Sequence, residues 1–224
     1  MKNLLYTLLS LPLFFISSCE EEQEPIHGCL DSQACNYNPE ATIDNNSCEY
    51  PPSGYDCQGN IAEYIIGMEA EGGIVFYVDE TGQHGLVSAM EDLGSFEWGC
   101  YGTDINGINT GLSPELQAIG TGYQNTLEIV AGCSETPIAA SEALAYESGD
   151  YSDWYLPSKD ELYEMYITIG QGGPEGNIGG FSTAFYWSSS ESSSGNAWIV
   201  GFGSGYTPTN PKLDALRVRV IRAF

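Results

Sequence analysis

YWSSSESSSGNAWIVGF, residues Tyr186 to Phe202, has aromatic and aliphatic ends around a centre rich in serine and glycine. Ends of this composition are typical of β-strands, and the centre is typical of a turn. We therefore predict a hairpin whose strands cover FYWSS and AWIVGF and whose tip carries Glu191. Trp187 and Trp198 lie in the predicted strands, where packing in the core is favoured over contact with a ligand.

The segments before this hairpin predict further strands and helices. GGIVFYVDETGQHGLVSA indicates a second hairpin, with a strand at 74–78 and a return strand from Gly85. YQNTLEIVAGC and TPIAASEALAYES favour helices. In LPSKDELYEMYITIG, Ser158 and Glu161 form an S-x-x-E capping box, which predicts that a helix begins at this serine.

The first residues have the features of an export signal. Lys2 precedes the apolar run LLYTLLSLPLFFIS, which is too short to span a membrane. FISSC resembles a lipobox, which implies cleavage of a signal peptide at 1–18 and acylation of Cys19. The acidic tether at 19–27 resembles the stretch that routes some lipoproteins to the outer face of the outer membrane. We therefore expect a surface-exposed protein that contacts the outer membrane through its lipid anchor only.

The remaining cysteines are even in number, as is typical of an exported protein with disulfides. We expect two bridges in a small module at 28–58 and one bridge, Cys100–Cys133, in the large domain. Sequence alone leaves three pairings open among the four cysteines of the module: Cys29, Cys35, Cys48 and Cys57.

The module has too few apolar residues to form a hydrophobic core. Its short oxygen-bearing side chains suit a flexible Ca²⁺ loop. The candidate ligands are Asp31, Asn36, Asn38, Asp44 and Asn46. The module resembles a cysteine-framed repeat likened to calcium-binding thrombospondin type 3 repeats, but Asn45 and Asn46 replace an acid and a glycine of that repeat. The alternative is a disulfide-stapled spacer with Asx turns and no metal.

The net charge of the chain is −25, with only six basic residues. Because such a surface repels polyanions, the composition argues against nucleic-acid binding. Three of the basic residues, Arg217, Arg219 and Arg222, lie in the terminal ALRVRVIRAF. We expect them to pair with acids such as Asp153 or Asp160 and to stabilise the fold.

Residues 68–224 contain a series of motifs: GGIVFYVDETGQHGLVSA, WGCYGT, DWYLPSKDELYEMY, YWSSSE, NAW and VRVIRAF. In this order they resemble the Lcl C-terminal domain family, with residues 59–67 as a linker. The resemblance implies a non-enzymatic, C-type-lectin-like α+β domain with two or three helices packed on loop-rich antiparallel sheets. The named member of the family is an adhesin that binds glycosaminoglycans, and a homotrimer would fit the family. Since sulfated glycans need a basic surface, only surface recognition is transferred to this chain.

Catalysis has weaker support than binding. A Ser–His–acid site needs a histidine, and only His27 and His84 exist, without a G-x-S-x-G motif. A carboxylate-dependent glycan hydrolase is the weakest hypothesis, because no two acids are marked as a pair.

We predict a domain that binds an extracellular glycan or a surface protein in adhesion. The alternative is a structural, self-assembling envelope lipoprotein. Trp98 and Tyr101 lie in a glycine-rich loop, where exposure is expected. The predicted ligand contacts are Trp98, Tyr101, Glu191 and Asn196.

Overall fold

The computed structural model describes residues 23–105 and 114–224, which fold into two compact units divided between Pro51 and Pro52. The predicted signal peptide and the acylation site at Cys19 lie outside the described residues. Within the described ranges, no helix is both long and apolar enough to cross a membrane.

The N-terminal unit has little regular structure. Two short strands, β1 (His27–Gly28) and β2 (Ile43–Asp44), pair in parallel. Cys29, which follows β1 directly, is bonded to Cys48, and this bond selects one of the three pairings that the sequence leaves open. A disulfide thus holds a unit that is too small to be stabilised by apolar burial alone.

The other disulfide predictions are also confirmed. Cys35 and Cys57 are both disulfide-bonded. In the larger unit Cys100 is bonded to Cys133, across a sequence separation of 33 residues.

The larger unit is built from nine strands and three α-helices among its described residues. In chain order they are β3 (Glu69–Ala70), β4 (Gly73–Val78), β5 (Gly85–Ser88), β6 (Gly94–Phe96), α1 (Gly122–Gly132), α2 (Ala139–Ala145), α3 (Lys159–Thr168), β7 (Phe185–Ser193), β8 (Asn196–Gly201), β9 (Thr209–Pro211), β10 (Leu216–Val218) and β11 (Ile221–Ala223), with a 3₁₀ turn at Pro114–Gln117 before α1.

The strands form two sheets. One is antiparallel, in the order β11-β5-β4-β3, and contains the predicted hairpin β4–β5. The other has the order β6-β10-β7-β8-β9 and is mixed, because β7 pairs antiparallel with β8 and parallel with β10. The predicted α+β class is therefore confirmed, with one parallel pairing that the sequence did not indicate.

Helix α3 begins where the capping signal predicts. The hydroxyl of Ser158 accepts the backbone N–H of Glu161 at 3.2 Å, and the carboxylate of Glu161 accepts the backbone N–H of Ser158 at 2.7 Å. This exchange satisfies two N–H groups at the start of the helix that have no partner within the helix.

Two apolar layers cover the two faces of the mixed sheet. Successive residues of a strand point to opposite faces. Trp187 and Ile199 belong to the layer that contains residues of α1 and α2, whereas Tyr186 and Val200 belong to the layer under α3. Because both faces of the sheet are covered at this point, the three serines directly after Trp187, at 188–190, are also buried, whereas Ser192 and Ser193 near the turn are half-buried.

The C-terminal arginines form the predicted structural ion pairs. Arg222 binds both carboxylate oxygens of Asp153, at 2.7 and 3.1 Å. Arg217 and Arg219 bind Asp92, at 2.9 and 2.8 Å, which the sequence did not indicate.

Candidate functional site

Tyr101, the most exposed of the predicted ligand contacts, lies on the surface around the β7–β8 turn. The turn consists of Ser194 and Gly195. The Tyr101 side chain is 56% exposed, and its ring covers Gly195, where a Cβ atom would lie 3.3 Å from Cε2 of the ring. The N–H of Gly102 donates to the carbonyl of Ser194 at 2.8 Å. The aromatic side chain therefore lies on the turn and extends into solvent.

Trp98 is not a surface residue, and this prediction is wrong. Its side chain is 0% exposed, and its indole N–H donates to the carbonyl of Ser188 at 2.9 Å. The glycine-rich composition of the loop suggested exposure, but Trp98 reaches inward to the backbone of strand β7.

The predicted position of Glu191 at the hairpin tip is also wrong. Glu191 belongs to strand β7, three residues before the turn, and it is fully buried. It forms an ion pair with Lys212, whose side chain is 0% exposed. Its two oxygens also accept the N–H of Ile105, at 3.1 Å each.

Lys212 joins three segments under the turn, and the sequence analysis did not single it out. Its ammonium group donates to Glu191 and to the carbonyl of Thr103, the latter at 2.9 Å. The same group lies 4.5 Å from the centre of the Trp98 ring, a distance that allows a cation–π interaction. Burial raises the pKa of Glu191, and the hydrogen bonds from Lys212 and Ile105 oppose that rise.

A covalent bond fixes the loop directly beside Tyr101. Cys100 is bonded to Cys133, the residue that follows α1, and its N–H donates to the carboxylate of Glu135 at 2.7 Å. Tyr101 is thus held by a disulfide on one side and by the hydrogen bond of Gly102 on the other.

Asn196 lies on the opposite side of the turn, at the start of β8. It is half-buried, and its amide donates to the hydroxyl of Ser193 at 3.2 Å. Trp198, two residues further along β8, is on the same face of the strand and is also half-buried. The ammonium group of Lys159 lies 5.0 Å from the centre of the Trp198 ring.

Beside Trp198, a cavity of about 330 Å³ opens between the first turn of α3 and the segment before β9. Its lining residues are Lys159, Asp160, Tyr163, Gly205 and Thr207. The sequence analysis did not predict this cavity, because the polar face of α3 has the composition of an ordinary solvated helix.

In the N-terminal unit, four of the five predicted calcium ligands accept hydrogen bonds from other residues of that unit. Asp31 accepts the N–H of Gln33 and the hydroxyl of Tyr50, at 2.9 and 2.6 Å. Three others likewise accept backbone N–H groups: Asn36, Asn38 and Asp44.

Asn46, the fifth predicted ligand, has φ of 55° and occupies the position where the related repeat has glycine. Asparagine tolerates this conformation better than most residues. The bonds that Asp31, Asn38 and Asp44 accept from the N–H two residues further on are the Asx turns that the metal-free interpretation expects. Calcium binding stays a prediction.

The chain matches a family model and has a distant likeness to a solved structure. No curated protein matches the chain. Among solved structures, a fimbrial protein from Bacteroides ovatus aligns with a TM-score of 0.45 and 15% identity, covering 83% of this chain and 50% of that protein. The chain thus spans half the length of that protein. The model of the Lcl C-terminal domain matches residues 104–222, more than half of the chain, which includes the three helices and the β7–β8 hairpin. The chain therefore belongs to the Lcl C-terminal domain family.

Proposed function

We propose that this chain is a lipid-anchored, non-catalytic recognition protein of the outer cell surface, which binds a glycan or a protein ligand in adhesion through the surface around the β7–β8 turn. The observation that carries the proposal is the exposed Tyr101 side chain on a rigid base. Tyrosine is enriched at recognition surfaces because it offers a large amphipathic contact area with few rotatable bonds.

Rigidity of the base supports binding in a specific way. A side chain or loop that is ordered only upon binding costs free energy at that moment. Here the Cys100–Cys133 bond and the buried pair of Glu191 and Lys212 hold the loop before any ligand arrives. A contact on Tyr101 would therefore lose less entropy than one on a free loop.

Three polar side chains in the middle of β7, those of Ser188, Ser190 and Glu191, bond to other parts of the fold, which supports binding rather than catalysis. The hydroxyl of Ser188 donates to the carbonyl of Trp198 at 2.7 Å, and that of Ser190 donates to the carbonyl of Leu116 at 3.3 Å. Both serines and Glu191 are fully buried, so these groups cannot meet a substrate at the surface.

The net charge of the chain restricts the class of ligand that it can bind. At −25, the chain repels sulfated and other strongly anionic polymers at ordinary ionic strength. We therefore propose a neutral or basic ligand: a neutral glycan or a protein surface with exposed lysine or arginine.

Replacing Tyr101 with alanine should lower ligand affinity about tenfold, as expected for a tyrosine at the centre of a contact surface. The measurement is binding of the full chain to an array of neutral glycans and to immobilised extracellular matrix proteins. Binding is measured once with Ca²⁺ and once with a chelator, because the N-terminal unit is predicted to bind Ca²⁺. Tyr123→Ala is the matched control, since Tyr123 is 49% exposed on α1. Equal loss in both variants, or none in Tyr101→Ala, would contradict the proposal. Self-association without ligand binding would favour the assembly function.

Acylation has a separate test. Cells that express the full chain and are fed radioactive palmitate should label it, and Cys19→Ala should abolish the label. The rest of the tether, EEEQEPIH, contains no second cysteine that could be acylated in place of Cys19. Label that persists in Cys19→Ala would overturn the anchor.

A further inference from the structure

We infer that the cavity between α3 and the segment 205–207 binds one neutral sugar residue of an extracellular glycan. This inference rests on the proposed recognition function and names the ligand class for it. The ammonium group of Lys159, which lines the cavity, lies 5.0 Å from the centre of the Trp198 ring. Trp198 shares one face of β8 with Asn196, which lies next to the turn.

The size of the cavity suits a single sugar ring. Its volume of about 330 Å³ is near the lower end of the range of about 300–1,000 Å³ for small-molecule sites. It is open to solvent, so the remainder of a glycan can continue outside it.

The polar groups of the cavity are arranged to bind hydroxyl groups. Lys159 offers N–H donors, and Asp160, whose side chain is 48% exposed, offers carboxylate acceptors. A sugar hydroxyl can donate to the carboxylate of Asp160 and accept from the ammonium group of Lys159. The ammonium group lies 3.5 Å from the carboxylate and donates to the side-chain oxygen of Gln117 at 2.7 Å, which fixes its position. Because the two charges balance, the cavity favours a neutral ligand.

Aromatic rings supply the apolar contact that the C–H face of a sugar needs. Tyr163 lines the cavity, and its ring centre lies 6.0 Å from that of Tyr166. Tyr206, which is 64% exposed, lies in the chain between Gly205 and Thr207, the two residues that line the opposite wall. Gly205, with φ of +72°, brings this wall close to Tyr166, where a Cβ atom would lie 2.4 Å from the ring. Only glycine permits that approach.

The binding test uses the full chain and four neutral probes: the methyl glycosides of glucose, galactose, mannose and N-acetylglucosamine. Methyl glucuronide serves as the anionic counterpart. Saturation-transfer NMR should detect at least one neutral probe and no glucuronide. Asp160→Asn and Tyr163→Ala should each weaken binding of that probe about tenfold, since each removes a directional or stacking contact.

Thermal unfolding establishes that both variants fold, and Tyr123→Ala, on another helix, should bind like the unmodified chain. Failure of all four neutral probes to bind overturns the inference, as does a preference for glucuronide or unchanged binding in both cavity variants. The outcome also separates the two proposals. If Tyr101→Ala loses binding to the glycan array or matrix proteins and both cavity variants keep it, the recognition function is supported and only the sugar site is overturned.

Discussion

Replacing Lys212 with methionine is expected to lower the free energy of unfolding by about 3–5 kcal/mol, because it leaves a buried carboxylate without its counter-charge. The side chains of Lys212 and Glu191 are both 0% exposed, so water cannot replace the missing ammonium group. The measurement is urea-induced unfolding followed by tryptophan fluorescence. All four tryptophans lie in the larger unit, so the signal reports on the unit that contains the pair.

A double variant separates the lost charge from the lost packing. Glu191→Gln in the Lys212→Met background removes the buried charge but keeps an acceptor for the N–H of Ile105. It should therefore be more stable than Lys212→Met alone. Lys159→Met is the matched control, because that ammonium group is partly exposed and its ion pair with Asp160 should contribute less than about 1 kcal/mol. A double variant less stable than the single one would show that packing, and not charge, dominates the loss.

The pair of Glu191 and Lys212 should also make the free energy of unfolding depend on pH. Burial raises the pKa of Glu191 in the folded state above that of the unfolded chain. A raised pKa means that the folded state binds more protons, so stability falls as pH rises through that pKa. Removing Lys212 removes the strongest opposing interaction and raises the pKa further. The loss of stability in Lys212→Met should therefore be larger at about pH 8 than at about pH 5.

The sequence could predict features that depend on neighbouring residues. Helix α3 begins at Ser158 because the capping box joins residues three apart, and that signal is present in any fold. The β4–β5 hairpin followed from a run of strand-forming apolar residues, a polar turn segment and a second apolar run. The pairing of the arginines with acids followed from charge balance, although Asp92 was identified only by the structure.

The errors concern contacts between distant residues. Trp98 is buried because its indole N–H reaches the carbonyl of Ser188, 90 residues away in the chain. Glu191 lies among serines that look like a turn, yet serine is small enough to fill the crowded centre of a sheet and can donate to a neighbouring carbonyl. Local composition cannot distinguish these two uses of serine. For the candidate site, the exposure of Tyr101 followed from its position in a glycine-rich loop, and its role as a ligand contact stays a prediction, as does that of Asn196. The cavity depends on how α3 lies against the segment before β9.

Replacing Glu161 should give the second large loss in the free energy of unfolding. Its carboxylate is fully buried and joins the starts of two helices, because it accepts the N–H of Gly120 at 2.8 Å and that of Ser158 at 2.7 Å. A Cβ atom at Gly122 would lie 2.2 Å from the same carboxylate, so this position has no room for a side chain. Glu161→Ala leaves these N–H groups without their acceptor and should lower the free energy of unfolding by about 2–4 kcal/mol in the urea experiment.

Glu161→Gln tests the charge of this junction rather than its shape. Burial raises the pKa of Glu161, while the backbone N–H donors oppose the rise. Since the folded state then binds the extra proton, the stability that the carboxyl contributes falls as pH rises through its raised pKa. Glutamine does not titrate, so the advantage of the unmodified chain over Glu161→Gln should shrink between about pH 5 and about pH 8. Glu175→Gln removes the same charge from an exposed position after α3, and it should shift the unfolding free energy by less than about 0.5 kcal/mol at either pH. An advantage that grows with pH would mean that the N–H donors outweigh burial and hold Glu161 ionised in the folded chain.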